Sequence, residues 1–82
     1  MEESTMKSIY TEQYRQIGLK IAYYRKLRGL TQKVLAEQVG LTLAYIGHLK
    51  APNISKALSL DTLFDIAVAL DVAPQKFLTF ED

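Results

Sequence analysis

The stretch that decides the fold runs from residue 32 to residue 49 and reads QKVLAEQVGLTLAYIGHL. Two helices that cross steeply through a short turn need a small side chain at the crossing point, and Ala36 provides it. Gly40, four residues later, provides the positive φ that the turn requires. Ile46 and Leu49 then anchor the second helix and leave its opposite side facing outward. The spacing therefore predicts a helix-turn-helix.

A longer helix is predicted before this pair, from about Tyr10 or Thr11 to Arg28, because apolar residues recur there at helical spacing. Its inward stripe consists of four residues, namely Tyr14, Ile17, Ile21 and Tyr24. Gly29 follows directly, as is typical of a helix that ends in the left-handed conformation. The first helix should therefore stop just before the motif begins.

The two short helices of the motif each have an N-cap residue. Thr31 precedes the first, which turns Leu35 and Val39 inward, and Thr42 precedes the second, which should extend to about Lys50. A threonine in this position accepts a hydrogen bond from a free backbone N–H of the first turn. The caps therefore define where both helices begin.

A fourth helix is predicted from the cap Ser59 to about Asp71, with the acidic Asp61 suited to its first turn. Its inward face consists of Leu60, Leu63, Ile66, Ala67 and Leu70. A fifth short helical turn over 75–79 would follow Pro74 and close the core with Phe77 and Leu78. Because no segment alternates with period two over the length of a strand, we expect an all-α fold of five helices.

Length and composition indicate one compact unit. The chain has 82 residues, 49% of them apolar, with four Gly and two Pro, so we expect a single domain over 10–82 after a flexible segment over 1–9. The chain has no Cys and a single His, which excludes thiolate zinc sites and histidine-rich metal cages. The longest apolar run, over 66–70, is too short to span a bilayer, so we expect a cytoplasmic protein without membrane contact.

The net charge of +1 hides an uneven distribution. Residues 15–56 carry a net charge of +7, while residues 1–14 carry −2 and residues 57–82 carry −4. A basic block of this size attracts polyanions, whatever the charge of the whole chain. A well-solvated lysine surface would have the same composition, so charge alone leaves both interpretations open.

Together these segments resemble the Xre family, the helix-turn-helix proteins similar to phage repressors and Cro. The resemblance extends from Ile17 to about Leu78, in the runs IGLKI (17–21), RKLRGLTQ (25–32), LAEQVGLT (35–42), YI (45–46), SLDTL (59–63) and IAVAL (66–70). It implies a five-helix, repressor-like domain, usually dimeric, whose third helix lies in the major groove of an operator.

The resemblance implies roles for residues at the start of the motif. Gln32 would use its side-chain amide and the free N–H groups of its helix to bind a phosphate, although an exposed helix-start residue would look the same. Lys33 would add attraction without fixed geometry. Thr42 would cap its helix and also contact phosphate, although capping alone explains it.

The outward face of the third helix holds the predicted reading residues, which are Leu43, Ala44, Gly47 and His48, with Tyr45 and Lys50 beside them. Here the sequence departs from the family, because base-reading positions usually hold polar side chains. Leu43 and Ala44 would pack against thymine methyl groups, and the small Ala44 and Gly47 would let the helix lie close to the bases. His48 is either a base contact or a surface histidine, and Tyr45 either contacts phosphate or packs against the first helix.

The segment after the third helix departs as well. It reads Lys50-Ala51-Pro52, where the family often has Glu, a basic residue and Gly, so the usual partner of Arg25 is replaced by a cation. Arg25 therefore either turns to another acceptor, such as Glu37, or faces phosphate together with Lys50. The loop to Ser59 is about two residues longer than in the family, and its Asn53, Ser55 and Lys56 would either contact the DNA backbone or form an ordinary surface loop.

The sequence therefore predicts a small transcriptional regulator, repressor-like, that binds double-stranded DNA at a near-palindromic operator as a homodimer. Its dimer surface would lie in the acidic C-terminal part, with Phe77, Leu78 and Phe80 as candidates, unless these residues complete the core. The alternatives are a protein-interaction module that docks a partner on the third helix, and an antitoxin or restriction controller that regulates its own operon. We expect neither catalytic activity nor a cofactor nor a small-molecule ligand.

Overall fold

The computed structural model describes residues 10–48 and 58–80, which form four α-helices and one 3-10 helix. They are α1 (Thr11–Leu27), α2 (Gln32–Val39), α3 (Leu43–His48), α4 (Leu60–Leu70) and the 3-10 helix Pro74–Leu78. No strand occurs in these two ranges, so the predicted all-helical fold is confirmed. The last element is a 3-10 helix, so a count of five α-helices is not confirmed. The predicted flexible segment 1–9 lies outside the described residues.

The predicted caps fix the starts of two helices. The Thr31 hydroxyl accepts a hydrogen bond of 3.1 Å from the Val34 N–H, and the Ser59 hydroxyl accepts one of 3.1 Å from the Thr62 N–H. Each bond satisfies a backbone donor that the first turn of a helix leaves free. The α4 helix ends at Asp71, whose φ of 57° makes it a left-handed cap without glycine.

The core is formed by ten apolar residues drawn from all five elements, which are Ile17, Ile21, Leu35, Ala36, Ile46, Leu63, Ile66, Ala67, Leu70 and Phe77. Phe77, Leu35, Ile66 and Leu70 are completely buried. Burial of apolar side chains at about 25 cal/mol per Å² is the main term that stabilises such a domain. The predicted inward faces of α1 and α4 are thus largely confirmed.

Three predicted core positions are wrong. Leu60 is 61% exposed because it begins α4 and lies in the same row as the exposed Phe64 and Val68, four and eight residues later. Leu78 and Tyr14 are also exposed, at the far end of the 3-10 helix and near the start of α1. Residues at the ends of helices have fewer neighbours. Periodicity therefore predicts which face such a residue lies on, but not whether it is buried.

Two basic side chains, one from α1 and one just past its end, contact the segment that runs from the end of α4 to Phe80. The Arg28 guanidinium, just past the end of α1, donates hydrogen bonds of 2.7 and 3.0 Å to the backbone carbonyls of Leu70 and Asp71, at the end of α4. The Lys20 ammonium donates to the carbonyl of Thr79 and lies 5.3 Å from the centre of the Phe80 ring. A cation at the carbonyl end of a helix is favoured by the helix dipole.

None of the helices in the described ranges has the length and apolar content needed to cross a membrane.

Candidate nucleic-acid interface

The turn between α2 and α3 has the predicted geometry. Gly40 has a φ of 72° and its N–H donates to the carbonyl of Ala36, which also accepts a hydrogen bond of 2.9 Å from the Leu41 N–H. Ala36 is 3% exposed, as a small residue at a helix crossing should be. Both helices therefore enter and leave the turn as the sequence spacing predicts.

Thr42 begins α3 by capping it. Its hydroxyl accepts a hydrogen bond of 3.0 Å from the Tyr45 N–H, and its carbonyl accepts one of 3.2 Å from the Ile46 N–H. Ile46 is 4% exposed and fixes the inner side of α3 in the core. The cap and this anchor together determine which side of α3 faces outward.

The outer side of the first turn of α3 is apolar. Leu43 is 50% exposed and Ala44 is also exposed. Tyr45 is half-buried, and the loss of solvent raises the pKa of its phenol above the ordinary value. The described part of α3 therefore offers chiefly methyl groups to an approaching ligand.

The start of α2 and the far end of α3 come together at Gln32 and Gly47. A Cβ atom added to Gly47 would lie 3.9 Å from the Oε1 atom of Gln32. Both residues are half-buried, while the neighbouring Lys33 is exposed and has no bonded partner among the described residues. The side-chain amide of Gln32 thus lies beside α3.

Several predicted site residues cannot be placed. Lys50, Asn53, Ser55 and Lys56 lie outside the described residues, and the backbone of His48 belongs to α3 but its side chain is not described. The predicted extension of α3 to about Lys50 likewise lies beyond the described residues. The structure places Leu43, Ala44, Tyr45 and Gly47 on α3, directly after Thr42, and brings Gln32 of α2 beside Gly47, with Lys33 next to Gln32 in the chain.

Arg25 is a structural residue of the motif rather than part of its outer surface. It is 8% exposed, and its guanidinium donates a hydrogen bond of 2.6 Å to the backbone carbonyl of Leu30, in the link to α2. Of the two predicted alternatives, Arg25 therefore takes another acceptor, but that acceptor is a backbone carbonyl rather than Glu37. The spacing of Arg25 could have predicted its burial. It lies four residues after Ile21, which lies four after Ile17, so all three fall on the inner face of α1.

Most of the basic side chains described between residues 15 and 48 form hydrogen bonds with other residues of the protein. Arg15 pairs with Glu12 at 2.7 Å on the exposed surface of α1, and this contact lowers the pKa of the carboxyl. Arg25 and Arg28 bind uncharged carbonyls, so their positive charges are not neutralised by their partners. Residues 15–48 thus keep a net positive charge, whereas α4 contains Asp61 and Asp65 and ends at Asp71.

The described residues contain no group of acidic, histidine or cysteine side chains that could hold a metal ion.

Comparisons with known proteins agree with this geometry. Residues 21–77 match the family model described as helix-turn-helix. The structure is similar to the crystal structure of the restriction-modification controller protein C.AhdI from Aeromonas hydrophila, with a TM-score of 0.71 and 28% sequence identity. The similarity covers 83% of this chain and 98% of that chain. No curated protein sequence matches the chain. The matched family region contains α2, the turn and α3 in full.

Proposed function

The chain belongs to the helix-turn-helix family of DNA-binding transcriptional regulators, and we propose that it represses transcription from a near-palindromic operator as a homodimer. In this proposal α3 lies in the major groove and α2 crosses the DNA backbone, as in other helix-turn-helix complexes. In this proposal the protein works in the cytoplasm, without a cofactor and without catalytic groups.

One observation carries the proposal, namely the exposed outer side of α3 next to the start of α2. Ile46 holds the inner side of α3 in the core, while Leu43 and Ala44 remain exposed. Gln32 lies beside Gly47, so a duplex held against α3 also meets the free N–H groups and the amide at the start of α2. Two contacts of different kind, one with bases and one with phosphate, thus fall on one surface.

We assign the contacts by their chemistry. Phosphate contacts come from Gln32, Lys33 and Thr42, and the long-range positive potential of the basic block adds to them. Base contacts come from α3, and the residues that follow it hold the DNA backbone. The proposed site therefore consists of Gln32, Lys33, Thr42, Leu43, Ala44, Tyr45, Gly47, His48, Lys50, Asn53, Ser55 and Lys56.

The proposed dimer surface is the outer face of α4. Leu60, Phe64 and Val68 form one row on this helix and are 61%, 47% and 81% exposed. Phe64 and Val68 also line an open groove that ends at Pro74. Phe77, a candidate for this surface from the sequence, is completely buried and is excluded from it, whereas the other two candidates, Leu78 and Phe80, are exposed. A two-fold contact of this row with its own copy would pair two reading helices on one operator.

The similarity to C.AhdI favours a narrower role. It extends over 98% of the controller chain, so no large part of that protein lacks a counterpart here. We therefore propose that the protein is a controller of a restriction-modification system rather than an antitoxin. Restriction and modification genes next to the chain's own gene would support this role, and a toxin gene in their place would contradict it.

The DNA-binding proposal is tested by selection from a random duplex pool, followed by fluorescence polarisation with the selected duplex at 50 and 200 mM salt. Neutralising about six phosphates predicts roughly 10³-fold weaker binding at the higher salt. An unselected duplex of equal length serves as the control and should bind more weakly at both salts. Negligible affinity for every duplex at both salts would contradict the proposal and favour a protein-interaction module.

A further inference from the structure

The reading surface of α3 is unusual in having few polar groups at its start. Leu43 is 50% exposed and Ala44 is exposed, and neither side chain has a donor or an acceptor. The Thr42 hydroxyl already accepts the Tyr45 N–H, and the Tyr45 side chain is half-buried. A surface of this kind recognises apolar groups better than it distinguishes hydrogen-bonding patterns.

The major groove presents one apolar mark, which is the methyl group on C5 of thymine. The same methyl at the same position is present in 5-methylcytosine, whose hydrogen-bonding edge is that of cytosine. Resting on the proposed function, which puts α3 in the major groove, we propose that Leu43 and Ala44 select pyrimidines that carry a C5-methyl group. The proposed ligand is thus a methyl group shared by two bases rather than a base-pairing edge.

The neighbouring residues favour a close approach. Ala44 extends only one carbon from the backbone and Gly47 has no side chain, so the helix can lie near the bases, where Leu43 reaches furthest. Burying one methyl group contributes about as much as burying one methylene, which corresponds to about fourfold in affinity. Discrimination at one position should therefore be modest, and the operator should contain several such pyrimidines.

The first arm of the experiment replaces each thymine of the selected operator by uracil, one at a time. This change removes the methyl group and keeps both base pairing and the hydrogen-bonding edge. We expect about fourfold weaker binding at one or more positions of each half-site, with an unchanged dependence on salt, because the phosphate contacts are not altered.

The second arm replaces a sensitive T·A pair by C·G and by 5-methylcytosine·G. If the methyl group is the ligand, the methylated duplex should bind about fourfold more tightly than the unmethylated one. If replacing thymine by uracil weakens binding but methylating cytosine does not strengthen it, recognition is specific to thymine. That result would overturn the proposal that the methyl group of either base is the ligand.

Leu43→Ala identifies the side chain responsible. In this variant the ratio of thymine to uracil affinity should fall towards one, whereas in Leu19→Ala it should stay at about four. Leu19 is a suitable control because it is a leucine of similar exposure, 44%, on α1. Since both residues are exposed, thermal melting should confirm that both variants are folded.

The outcomes separate this inference from the proposed function. A selected operator that binds with clear preference but lacks thymine, or that binds equally well with uracil at every position, overturns the inference and leaves the DNA-binding function intact. A ratio that persists in Leu43→Ala overturns the assignment to this surface. Failure to bind any duplex removes the proposed function itself.

Discussion

Arg25 lies on the inner face of α1, where it bonds to a backbone carbonyl instead of a carboxylate. Its guanidinium closes the link between α1 and α2 through the Leu30 carbonyl, and the Leu30 N–H in turn donates to the carbonyl of Arg25. A buried charge is tolerated when its donors are satisfied, and its removal leaves the former partner without a hydrogen bond. At the scale of single residues, a cation in a DNA-binding domain can therefore serve the fold and not the ligand.

Arg25→Ala should lower the free energy of unfolding by about 2 kcal/mol, because it removes a hydrogen bond from a charged donor and leaves the partly buried Leu30 carbonyl without this partner. Urea titration followed by circular dichroism measures the loss. Lys26→Ala is the matched control, since Lys26 is the next residue, is exposed and has no bonded partner among the described residues, and it should change stability little. Unchanged stability together with weaker DNA binding in Arg25→Ala would show that Arg25 acts on phosphate instead.

At the scale of elements, the boundaries of the helices follow from single residues that the sequence displays. Thr31 and Ser59 cap their helices through side-chain bonds, and Gly40 ends α2 with a left-handed conformation. These local features depend on neighbouring residues alone, so they could be read without the structure. The left-handed conformation of Asp71 at the end of α4 could not be predicted from the sequence, because a residue other than glycine adopts it only where the following packing requires it.

The two glycines of the motif should respond oppositely to alanine. Gly40→Ala places a Cβ atom in the left-handed conformation and should destabilise the protein by about 1 kcal/mol. Gly47→Ala meets a Gln32 oxygen at an ordinary contact distance of 3.9 Å and should stabilise α3 by about 0.5–1 kcal/mol. Thermal or urea unfolding of both variants beside the wild type makes the comparison. Equal effects in the two variants would show that backbone conformation does not distinguish these positions.

Periodicity predicted which residues share a face but not how far each face is covered. Ile66 and Leu70 are buried as predicted, whereas Leu60, on the same predicted face, is exposed at the start of α4. Likewise, the spacing around Ala36 predicted the helix crossing, while the contact between Gln32 and Gly47 required the three-dimensional arrangement. Coverage depends on which elements pack where, and that information is absent from a one-dimensional pattern.

At the scale of the whole molecule, the chain has two different surfaces. Residues 15–48 carry a net positive charge that comes chiefly from α1 and its C-terminal end, because α2 and α3 contribute only Lys33 and Glu37, whereas α4 carries acidic residues around an exposed apolar row. This exposed row is the surface that we propose for contact with a second copy of the chain.

Val68→Asp should convert the proposed dimer into a folded monomer, because it places a charge at the centre of an apolar contact. Sedimentation of the wild type should give about twice the chain mass of 9.3 kDa, and the variant should sediment as a single chain. Leu19→Asp is the control, because Leu19 is an exposed residue of α1, and this variant should remain dimeric. A wild type that sediments as a single chain while bound to its operator would contradict the proposed dimer.

The bonds that Arg25 and Arg28 make with backbone carbonyls also bear on how the domain behaves in acid. Carbonyl oxygens do not take up protons between neutral and mildly acidic conditions, so these anchors should persist where a carboxylate partner would be lost. The Arg15–Glu12 pair differs, because the pKa of Glu12 is lowered by its bond to Arg15. The pair therefore stabilises the fold at pH values above the ordinary pKa of a glutamate, and this contribution is lost as the pH falls through the lowered pKa. Because that pair lies on the exposed surface, acidification should break only a peripheral contact, while the bonds of Arg25 and Arg28 to backbone carbonyls persist.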